Sequence, residues 1–421
     1  MFNFQPGTKV KVKYSGEAEI IRKIGEGGQG SVYEVNFAGK KKALKWYAIK
    51  NITDPKRFYD NLENNIKKGK PTRSFLWPEA ITERMNGSFG YIMDLRPAEY
   101  KDFTHLLLGK WKFENLTAWV NATIYITASF RELHINGFSY QDLNDGSFFI
   151  NPKTGKVLIC DNDNVSEQGS NSGIIGKPGY MAPEILAKNA MPGILTDNFS
   201  LSVVLYMLWT NNHPLEGKST CPAFMGAANE KKMFGENPVF VWDPIDKSNR
   251  PVRGIHEGSI RRWPFLPLYL QEKFIKAFSK ELLHNPNARI NDLEWLQLFI
   301  RLRAEIYKCG CGEVYFADQV AKNPCPKCFA TNVFELMIRT PRYNLPVHQK
   351  TKLFTCHLDR TSDDFETQCG EISVQGNKFY LKNTSIATWY SSDGDTVQSG
   401  ESLVLRKGLS FDVANTKIDV I

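Results

Sequence analysis

The sequence has no long hydrophobic run, no internal repeat and no segment of low complexity. Its longest apolar stretch, residues 199–209, is much shorter than the ~20 residues that a membrane-spanning helix needs. The N-terminus lacks a basic stretch followed by an apolar run, so it shows no secretory signal. A hydrophobic share of 42% and a charged share of 23% exclude a disordered, collagen-like or coiled-coil chain. We therefore expect a folded cytoplasmic protein without membrane contacts.

Positive charge is in excess but is not concentrated. The formal net charge is +8, yet the lysines are spread along the chain apart from residues 40–42, which we interpret as a solvated turn. A basic patch on one surface is typical of nucleic-acid binders. A nucleic-acid partner is therefore not expected.

The composition changes twice and divides the 421 residues into three parts. Residues 9–50 alternate apolar and polar side chains between glycines, which is typical of a twisted antiparallel sheet, and the residues that follow 114 have apolar side chains at helical spacing. Cysteine, glycine and proline come next, followed by short β-prone runs. We predict an α+β domain over residues 1–305, a small knuckle over 306–340 and a β-sandwich over 341–421.

A glycine-rich segment at residues 25–32 follows the pattern G-x-G-x-x-G-x-V. Its defining residues are Gly25, Gly27, Gly30 and Val32. Glycines let the backbone amides of a hairpin approach a phosphate without side-chain clashes. A dinucleotide-binding turn shares the glycines but continues into a helix, whereas β-type residues follow here, which favours the phosphate loop of protein kinases.

A lysine that holds the α- and β-phosphates is expected two strands later, after an Ala-x-Lys pattern. Ala43 precedes Lys45 in that pattern, and Ala48 precedes Lys50 in the same way. We prefer Lys45, because Glu63 then follows at a spacing that suits a lysine–glutamate ion pair from the next helix. The sequence leaves open whether Glu63 is that partner or a solvated helix residue.

Residues 133–150 resemble the catalytic loop of protein kinases. The match places Asp142 where a carboxylate accepts the proton of the substrate hydroxyl. Gln141 replaces the arginine that would neutralise a phosphorylated activation loop, so activation by that route is not expected. Ser147 stands at the place of the metal-binding asparagine, and its hydroxyl is a weaker magnesium ligand than a carboxamide.

A strand over residues 156–160 leads to a second pair of carboxylates. Asp161 is the expected magnesium ligand. Asp163 stands where glycine is usual, and it is interpreted either as a second metal carboxylate that compensates for Ser147 or as part of a surface turn.

Residues 176–184 match the end of a kinase activation segment almost residue for residue. Glu184 should pair with a buried arginine, for which Arg289 is the candidate, since a buried charge requires a partner. Asp197 is expected to hold the catalytic-loop backbone. The order of these elements predicts a bilobal protein kinase fold, with one lobe over residues 1–95 and the other over 96–305.

Within the kinases, four segments together resemble the bacterial enzymes linked to tellurite-resistance and stress systems. They are residues 43–47, 75–78, 89–93 and 161–165. The resemblance implies ATP with Mg²⁺ or Mn²⁺, transfer to Ser or Thr hydroxyls of a protein substrate, Met93 as gatekeeper, and Asp94 to Arg96 facing the adenine. It also implies a von Willebrand A-type protein and a metal-dependent phosphatase as partners.

Four of the eight cysteines are crowded into two tight turns. The turns contain Cys309 with Cys311 and Cys325 with Cys328. Four thiolates give zinc a closed tetrahedral site without room for water, so we predict a structural zinc-ribbon-like knuckle. The remaining four, Cys160, Cys221, Cys356 and Cys369, are interpreted as buried reduced thiols.

Two main functions are compatible with these patterns; a third, a zinc-dependent nucleic-acid binder with a vestigial kinase fold, would require strong salt-dependent affinity for RNA or DNA. The first is a Ser/Thr protein kinase that uses Asp142, Asp161 and Lys45. The second is an ATP-binding pseudokinase scaffold that acts through its zinc and β modules, and it is motivated by Ser147 and Gln141. The β module faintly resembles a forkhead-associated domain but lacks that family's phosphate-binding residues, so we expect it to dock a partner.

Overall fold

The computed structural model describes residues 3–171, 173, 176–221, 226–318, 324–331, 334–359, 361–413 and 415–421. The chain divides into two compact units, residues 1–295 and 296–421. The division falls inside one helix, Asp292–Ala304, whereas the composition of the sequence changes after residue 305. Helices and strands are both abundant, which confirms the mixed α+β content.

The first unit begins with an antiparallel sheet of six strands in the order β1-β2-β3-β4-β6-β5. The strands are β1 Lys9–Val12, β2 Gly16–Gly27, β3 Gly30–Phe37, β4 Lys40–Tyr47, β5 Ala80–Ile81 and β6 Gly90–Asp94. Because side chains alternate across a strand, Val10, Ile20 and Tyr33 bury one face, while Ala43 and Met93 belong to a second core.

Helix α1, Pro55–Lys68, packs into this second core through Phe58 and Leu62. It begins at Asp54, whose side chain accepts a hydrogen bond from the backbone amide of Arg57. It ends at Gly69, which adopts a φ of 80°. A side-chain cap at the start and glycine after the last turn are common helix boundaries.

The rest of the first unit is mainly helical. Its helices are α2 Phe103–Leu107, α3 Leu116–Ile135, α4 Pro183–Leu186, α5 Ile194–Thr210, α6 Ala227–Glu230, α7 Glu257–Arg262, α8 Leu268–Ala277 and α9 Lys280–His284, and α10 Asp292–Ala304 begins in it. Its short strands are β7 Lys101–Asp102, β8 Phe138–Ser139, β9 Phe148–Ile150, β10 Val157–Ile159 and β11 Ser166–Glu167. They form two small sheets, β10-β9-β7 and β11-β8.

Helices α3 and α5 form the centre of this helical part. Helix α5 is buried along almost its whole length, and the rings of Trp119 and Trp209 stack between the two helices at 4.9 Å. Both helices contact β8, the strand that leads into the predicted catalytic loop. That loop therefore follows a strand that packs against both helices.

The second unit contains a short hairpin and two antiparallel sheets in the orders β15-β14-β23-β22-β19-β20 and β16-β17-β18-β21. Its elements are β12 Ile306–Lys308, β13 Val314–Phe316, β14 Met337–Arg339, β15 Asn344–Pro346, β16 Lys352–Phe354, α11 Thr355–Leu358, β17 Gln368–Gln375, β18 Lys378–Asn383, β19 Trp389–Ser391, β20 Thr396–Val397, β21 Ser402–Leu405, β22 Ser410–Val413 and β23 Thr416–Val420. Both sheets contribute to one core, which includes Ile338, Leu381 and Trp389. Within the described parts of the chain, no helix is long and apolar enough to cross a membrane.

Candidate active site

The glycine-rich segment forms the hairpin between β2 and β3. Gly25 pairs with Val32 and Gly27 with Gly30 across the hairpin. A Cβ atom on Gly30 would lie 2.1 Å from the backbone oxygen of Trp46, so the packing of the sheet requires glycine there. Gly27 has no heavy atom within 4 Å of such a position and faces open space. The backbone at Gly27 is therefore not crowded by neighbouring residues.

Lys45 extends from β4 to two acidic side chains, Asp163, which is buried, and Asp161, which is half-exposed. Its Nζ donates to Oδ2 of Asp163 at 2.7 Å, to Oδ1 of Asp161 at 3.2 Å and to Oε1 of Gln29 at 3.1 Å. Burial alone would lower the pKa of Lys45, but the charges of Asp163 and Asp161 outweigh it and raise the pKa. Lys50, the alternative lysine, lies exposed on the short helical turn Ile49–Asn51. The structure thus brings Lys45, and not Lys50, to Asp161.

The expected ion pair between Lys45 and Glu63 does not form. Glu63 lies on α1 as the spacing predicted, but its Oε1 accepts a hydrogen bond from Nζ of Lys13 at 2.5 Å. Lys45 already has a buried partner in Asp163, so it needs no carboxylate from the helix. Glu63 is therefore not the partner of Lys45, and the pairing that its spacing favoured is wrong.

Asp163 is completely buried and is not part of a surface turn. Its Oδ2 accepts hydrogen bonds from Lys45 and from the hydroxyl of Tyr47 at 2.6 Å, and its Oδ1 accepts one from the hydroxyl of Tyr91 at 3.3 Å. Burial and the charge of Asp163 raise the pKa of both tyrosines, which keeps their hydroxyls protonated as donors.

Asp142 is held by two amide side chains that the sequence analysis missed. Nδ2 of Asn144 donates to its Oδ1 at 3.2 Å, and Nδ2 of Asn164 donates to its Oδ2 at 3.3 Å. Burial raises the pKa of Asp142 to about 6, with help from the charges of Asp161 and Asp163 and against the hydrogen bond from Asn144. The contact of Asn144 could have been predicted, because its amide follows Asp142 by two residues. Asn164 is distant in sequence, so its contact with Asp142 could not.

The backbone of the catalytic loop is fixed by Asp197, as predicted. Its Oδ2 accepts from the amide of Tyr140 at 2.6 Å and its Oδ1 from the amide of Gln141 at 3.0 Å. The ring of His134 lies between Asp197 and Asp292, with nitrogen–oxygen distances of 3.3 and 2.7 Å. Burial alone would lower the pKa of His134, but these two hydrogen bonds raise it to about 9.

Gln141 connects the catalytic loop to the activation segment without a charge. Its Nε2 donates to the backbone oxygen of Ser170 at 2.7 Å and to Oγ of Ser139 at 3.0 Å, and its Oε1 accepts from Nδ2 of Asn171 at 3.0 Å. A neutral amide makes these bonds with neutral partners, so no phosphate is needed to form them.

At the far end of the activation segment, Arg289 and Glu184 form the predicted pair. Both guanidinium nitrogens, Nη1 and Nη2, lie 2.7 Å from the two carboxylate oxygens. The arginine is buried, and such a bidentate geometry is the strong form of this ion pair. The pairing prediction is confirmed.

Asp161 and Ser147 differ in how well they fit a magnesium ion. Asp161 adopts a φ of 54° and its side chain is 50% exposed, so its carboxylate can take a cation from the cleft. Ser147 is buried, and its Oγ accepts from the amide of Asn144 at 3.2 Å in the turn Asp145–Ser147. Asp163 has donors on both oxygens. Asp161 is therefore the best-fitting metal ligand of the three.

Apolar side chains cluster beside Lys45 and the glycine hairpin. Ala43 and Met93 belong to the buried core, and Val32, Leu95 and Leu158 are packed against it while partly exposed. Such a surface suits a flat heteroaromatic ring.

The side chains of Asp94 and Arg96 both have partners within the protein. Asp94 forms ion pairs with Lys42 at 2.6 Å and Lys70 at 3.1 Å. The guanidinium of Arg96 lies 4.2 Å from the ring centre of Phe149. Their side chains are thus engaged with the protein, and a ligand at this point would meet the backbone.

In the second unit, the four predicted cysteines converge on one point. The Sγ atoms of Cys309 and Cys328 are 3.6 Å apart, those of Cys311 and Cys325 are 3.7 Å apart, and all four lie within 4.8 Å of one another. Four sulfurs placed ~2.3 Å from a central zinc ion in a tetrahedron are separated by about 3.8 Å. The thiol arrangement therefore fits zinc.

Comparison with known families identifies the first unit. The family model described as "Protein kinase domain" matches residues 18–297. This match covers the glycine hairpin, Lys45 and the three aspartates Asp142, Asp161 and Asp163.

Curated relatives match shorter stretches. A probable serine/threonine-protein kinase zyg-1 from Caenorhabditis briggsae is 25% identical over 201 residues, which is 46% of this chain and 27% of the relative. CBL-interacting serine/threonine-protein kinase 19 from Arabidopsis thaliana is 22% identical over 152 residues, 34% of this chain and 30% of the relative. Serine/threonine-protein kinase PEPKR2 from the same plant is 28% identical over 122 residues, 28% of this chain and 25% of the relative. The matches span less than a third of each relative.

Proposed function

The chain belongs to the protein kinase domain family, and we propose that it transfers the γ-phosphoryl group of ATP to Ser or Thr hydroxyls of protein substrates. The observation that carries this proposal is the convergence of Lys45, Asp142 and Asp161 beside an open glycine hairpin. The retention of all three groups, with Lys45 bonded to Asp161 at 3.2 Å, supports transfer over mere nucleotide binding.

Each residue has a role that follows from its surroundings. Lys45 binds the α- and β-phosphates, and the amides around Gly27 cover them. Asp142 orients the acceptor hydroxyl and takes its proton as the oxygen bonds to the γ-phosphorus and the bond to the ADP oxygen breaks. Asn144 and Asn164 hold the carboxylate of Asp142 in place. Little covalent chemistry is required of the protein, so positioning and charge stabilisation supply the acceleration.

A divalent cation, Mg²⁺ or Mn²⁺, would be held by Asp161. When bound, it neutralises charge on the β- and γ-phosphates. The hydroxyl of Ser147 is already used within its own turn. This supports Asp161 as the main protein ligand of the cation.

The apolar cluster beside Lys45 would bind the adenine. Val32, Ala43 and Leu158 offer apolar contacts, and the backbone between Asp94 and Arg96 offers hydrogen-bonding groups. Met93 borders the cleft as the gatekeeper.

Ser147 also favours a second candidate, an ATP-binding pseudokinase that acts as a scaffold. In that case the protein would bind ATP and metal without transferring phosphate. The zinc and β modules would then carry the output.

The second unit would serve docking. We propose that Cys309, Cys311, Cys325 and Cys328 hold one structural Zn²⁺ in a zinc-ribbon-like knuckle, and that the two sheets after it are a β-sandwich for partner binding. By resemblance, the partners would be a von Willebrand A-type protein and a metal-dependent phosphatase in a bacterial stress or tellurite-resistance system in the cytoplasm.

The test of the proposed activity is the identity of the phosphorylated residue. Labelled ATP, Mg²⁺ or Mn²⁺, and a generic basic protein would be incubated with the wild type and with Lys45→Met, and the acceptors would be hydrolysed and analysed. Phosphoserine or phosphothreonine made only by the wild type supports the proposal. Phosphotyrosine would contradict the Ser/Thr assignment, and ATP binding without any transfer would favour the scaffold.

A further inference from the structure

We infer that Asp163 is the positioning residue for Lys45 and performs the task that a helix glutamate performs in other kinases. In those kinases the ion pair between the strand lysine and a glutamate of the following helix must be in place for activity. This inference rests on the proposed kinase function for its catalytic consequence, and on the geometry alone for the ion pair.

The contacts of Asp163 are those of a rigid anchor. Its side chain is 0% exposed and lies 2.7 Å from Nζ of Lys45. The hydroxyls of Tyr47 and Tyr91 donate to its two oxygens, at 2.6 and 3.3 Å. Both tyrosines are themselves buried on the same sheet as Lys45. A buried charge with one ionic partner and two neutral donors has little freedom to move.

The helix glutamate has a different partner. Glu63 and Lys13 are each about one-quarter exposed, and their side chains meet at 2.5 Å. A pair that remains partly in contact with solvent is screened by salt and contributes modestly to stability. Glu63 therefore ties α1 to the first sheet hairpin rather than to Lys45.

The same contacts exclude Asp163 from the metal. A cation bound to its oxygens would have to displace either the ammonium group of Lys45 or the tyrosine hydroxyls. Asp161 lies two residues earlier in the chain. Its side chain is 50% exposed and remains accessible to a cation. Asp163 is therefore not interpreted as a second metal ligand that compensates for Ser147. It forms the ion pair with Lys45 instead.

One short turn then aligns the groups of the cleft. The turn Asn162–Asn164 follows Asp161, carries Asp163 at its centre and ends at Asn164, which bonds Asp142 at 3.3 Å. Helix α1 attaches to this region through Nδ2 of Asn65, which donates to the backbone oxygen of Val165 at 2.7 Å. The position of Lys45 is thus set by the turn, and breaking the ion pair of Glu63 should leave it unchanged.

The first experiment compares three variants of the full chain by their kcat and by their KM for ATP. Asp163→Asn keeps the shape of the side chain and removes its charge, and it should lower kcat about tenfold or more with a smaller change in KM. Glu63→Gln should stay within about twofold of the wild type, as should Asp60→Asn, an exposed acidic residue on the same helix. A loss in Glu63→Gln as large as that in Asp163→Asn, or normal kcat in Asp163→Asn, would overturn the inference.

The second experiment is a double-mutant cycle in thermal stability, which needs no catalytic activity. Lys45→Met leaves Asp163 buried without its ionic partner and should lower the melting temperature, and adding Asp163→Asn should recover part of that loss. Additive losses would overturn the ion-pair assignment. If the wild type transfers no phosphate, the proposed function fails while this cycle still decides the role of the pair.

A milder variant covers the case in which Asp163→Asn does not fold. Tyr47→Phe removes the donor at 2.6 Å and leaves both charges in place. It should lower kcat several-fold in the same direction. An unchanged kcat in a folded Tyr47→Phe protein would count against the inference.

Discussion

Gln141 and Asn171 join the catalytic loop to the activation segment by a hydrogen bond of 3.0 Å between two neutral amides. Kinases that are switched on by phosphorylation use an arginine at the position of Gln141 to bind the phosphate. Here the loop makes its contacts without one. The connection is complete in the unmodified chain.

From this we expect activity that does not depend on phosphorylation of the chain. Treatment with a phosphatase should leave kcat within about twofold of its starting value. Gln141→Met keeps the size of the side chain but removes its hydrogen bonds, and it should lower kcat about three- to tenfold. Gln5→Ala, at an exposed position, serves as the control. A large drop in kcat after phosphatase treatment would contradict this expectation.

The pKa of Asp142 predicts an acid limb in the pH–rate profile. Burial raises this pKa to about 6, and only the ionised carboxylate can accept a proton. The value of kcat/KM should therefore fall as the pH falls through about 6. Because the hydrogen bond from Asn144 lowers the pKa, Asn144→Ala should move the limb to higher pH. A profile that is flat from pH 8 to 5, or an unchanged limb in Asn144→Ala, would contradict the assignment.

His134 predicts a pH dependence of stability with the opposite sign. Its pKa is raised from 6.5 to about 9 in the folded protein by hydrogen bonds to Asp197 and Asp292, which outweigh burial. Folding therefore favours the protonated ring, and the contribution, on the order of 3 kcal/mol, is complete below about pH 6.5 and is lost as the pH rises through about 9.

Urea unfolding at several pH values measures this contribution. The free energy of unfolding lost in His134→Gln should be largest near pH 6 and should shrink above pH 9. His284→Gln, at an exposed position, provides the control and should show little change. A loss in His134→Gln that is equal at both pH values would show that the ring is not charged in the folded state.

The sequence predicts those site residues that are recognised from the order of the motifs. It does not predict contacts between residues that meet only in the folded chain. The glycine hairpin, Lys45 and Asp142 stand in a recognisable order, and Asp197 and Glu184 make the contacts expected of them. Glu63 has the right spacing on α1, but spacing does not show which lysine is nearer. Asp163 is the carboxylate that pairs with Lys45. The two tyrosines that donate to Asp163 come from separate strands.

The orientation of Asp142 escaped the sequence for the same reason. Asn164 reaches it from a turn that lies far along the chain, and no periodic pattern marks such a contact. In the second unit, cysteine spacing predicted the convergence of the thiols, because two tight turns can direct four sulfurs at one point. The two sheets that follow share one core. Which residues pair between their strands depends on strand register, which the composition does not show.

The thiol cluster predicts one zinc ion per chain. Metal analysis of the 421-residue chain should find it, and Cys325→Ser with Cys328→Ser should remove it and lower the temperature at which the second unit unfolds. Cys221→Ser, an exposed cysteine outside the cluster, is the matched control. A metal-free wild type whose unfolding is unaffected by added zinc would contradict a structural zinc site.

The most direct test of the account is phosphate transfer by Asp142→Asn, measured together with its affinity for ATP. The side chain keeps its shape but can no longer accept a proton, and its single oxygen can still accept a hydrogen bond from Asn144 or Asn164. We predict that kcat falls about 100-fold or more while the Kd for ATP changes little, and that Asp60→Asn behaves like the wild type. A wild type that binds ATP but transfers no phosphate, or an Asp142→Asn variant with normal kcat, would contradict the assignment of this cleft as a kinase active site.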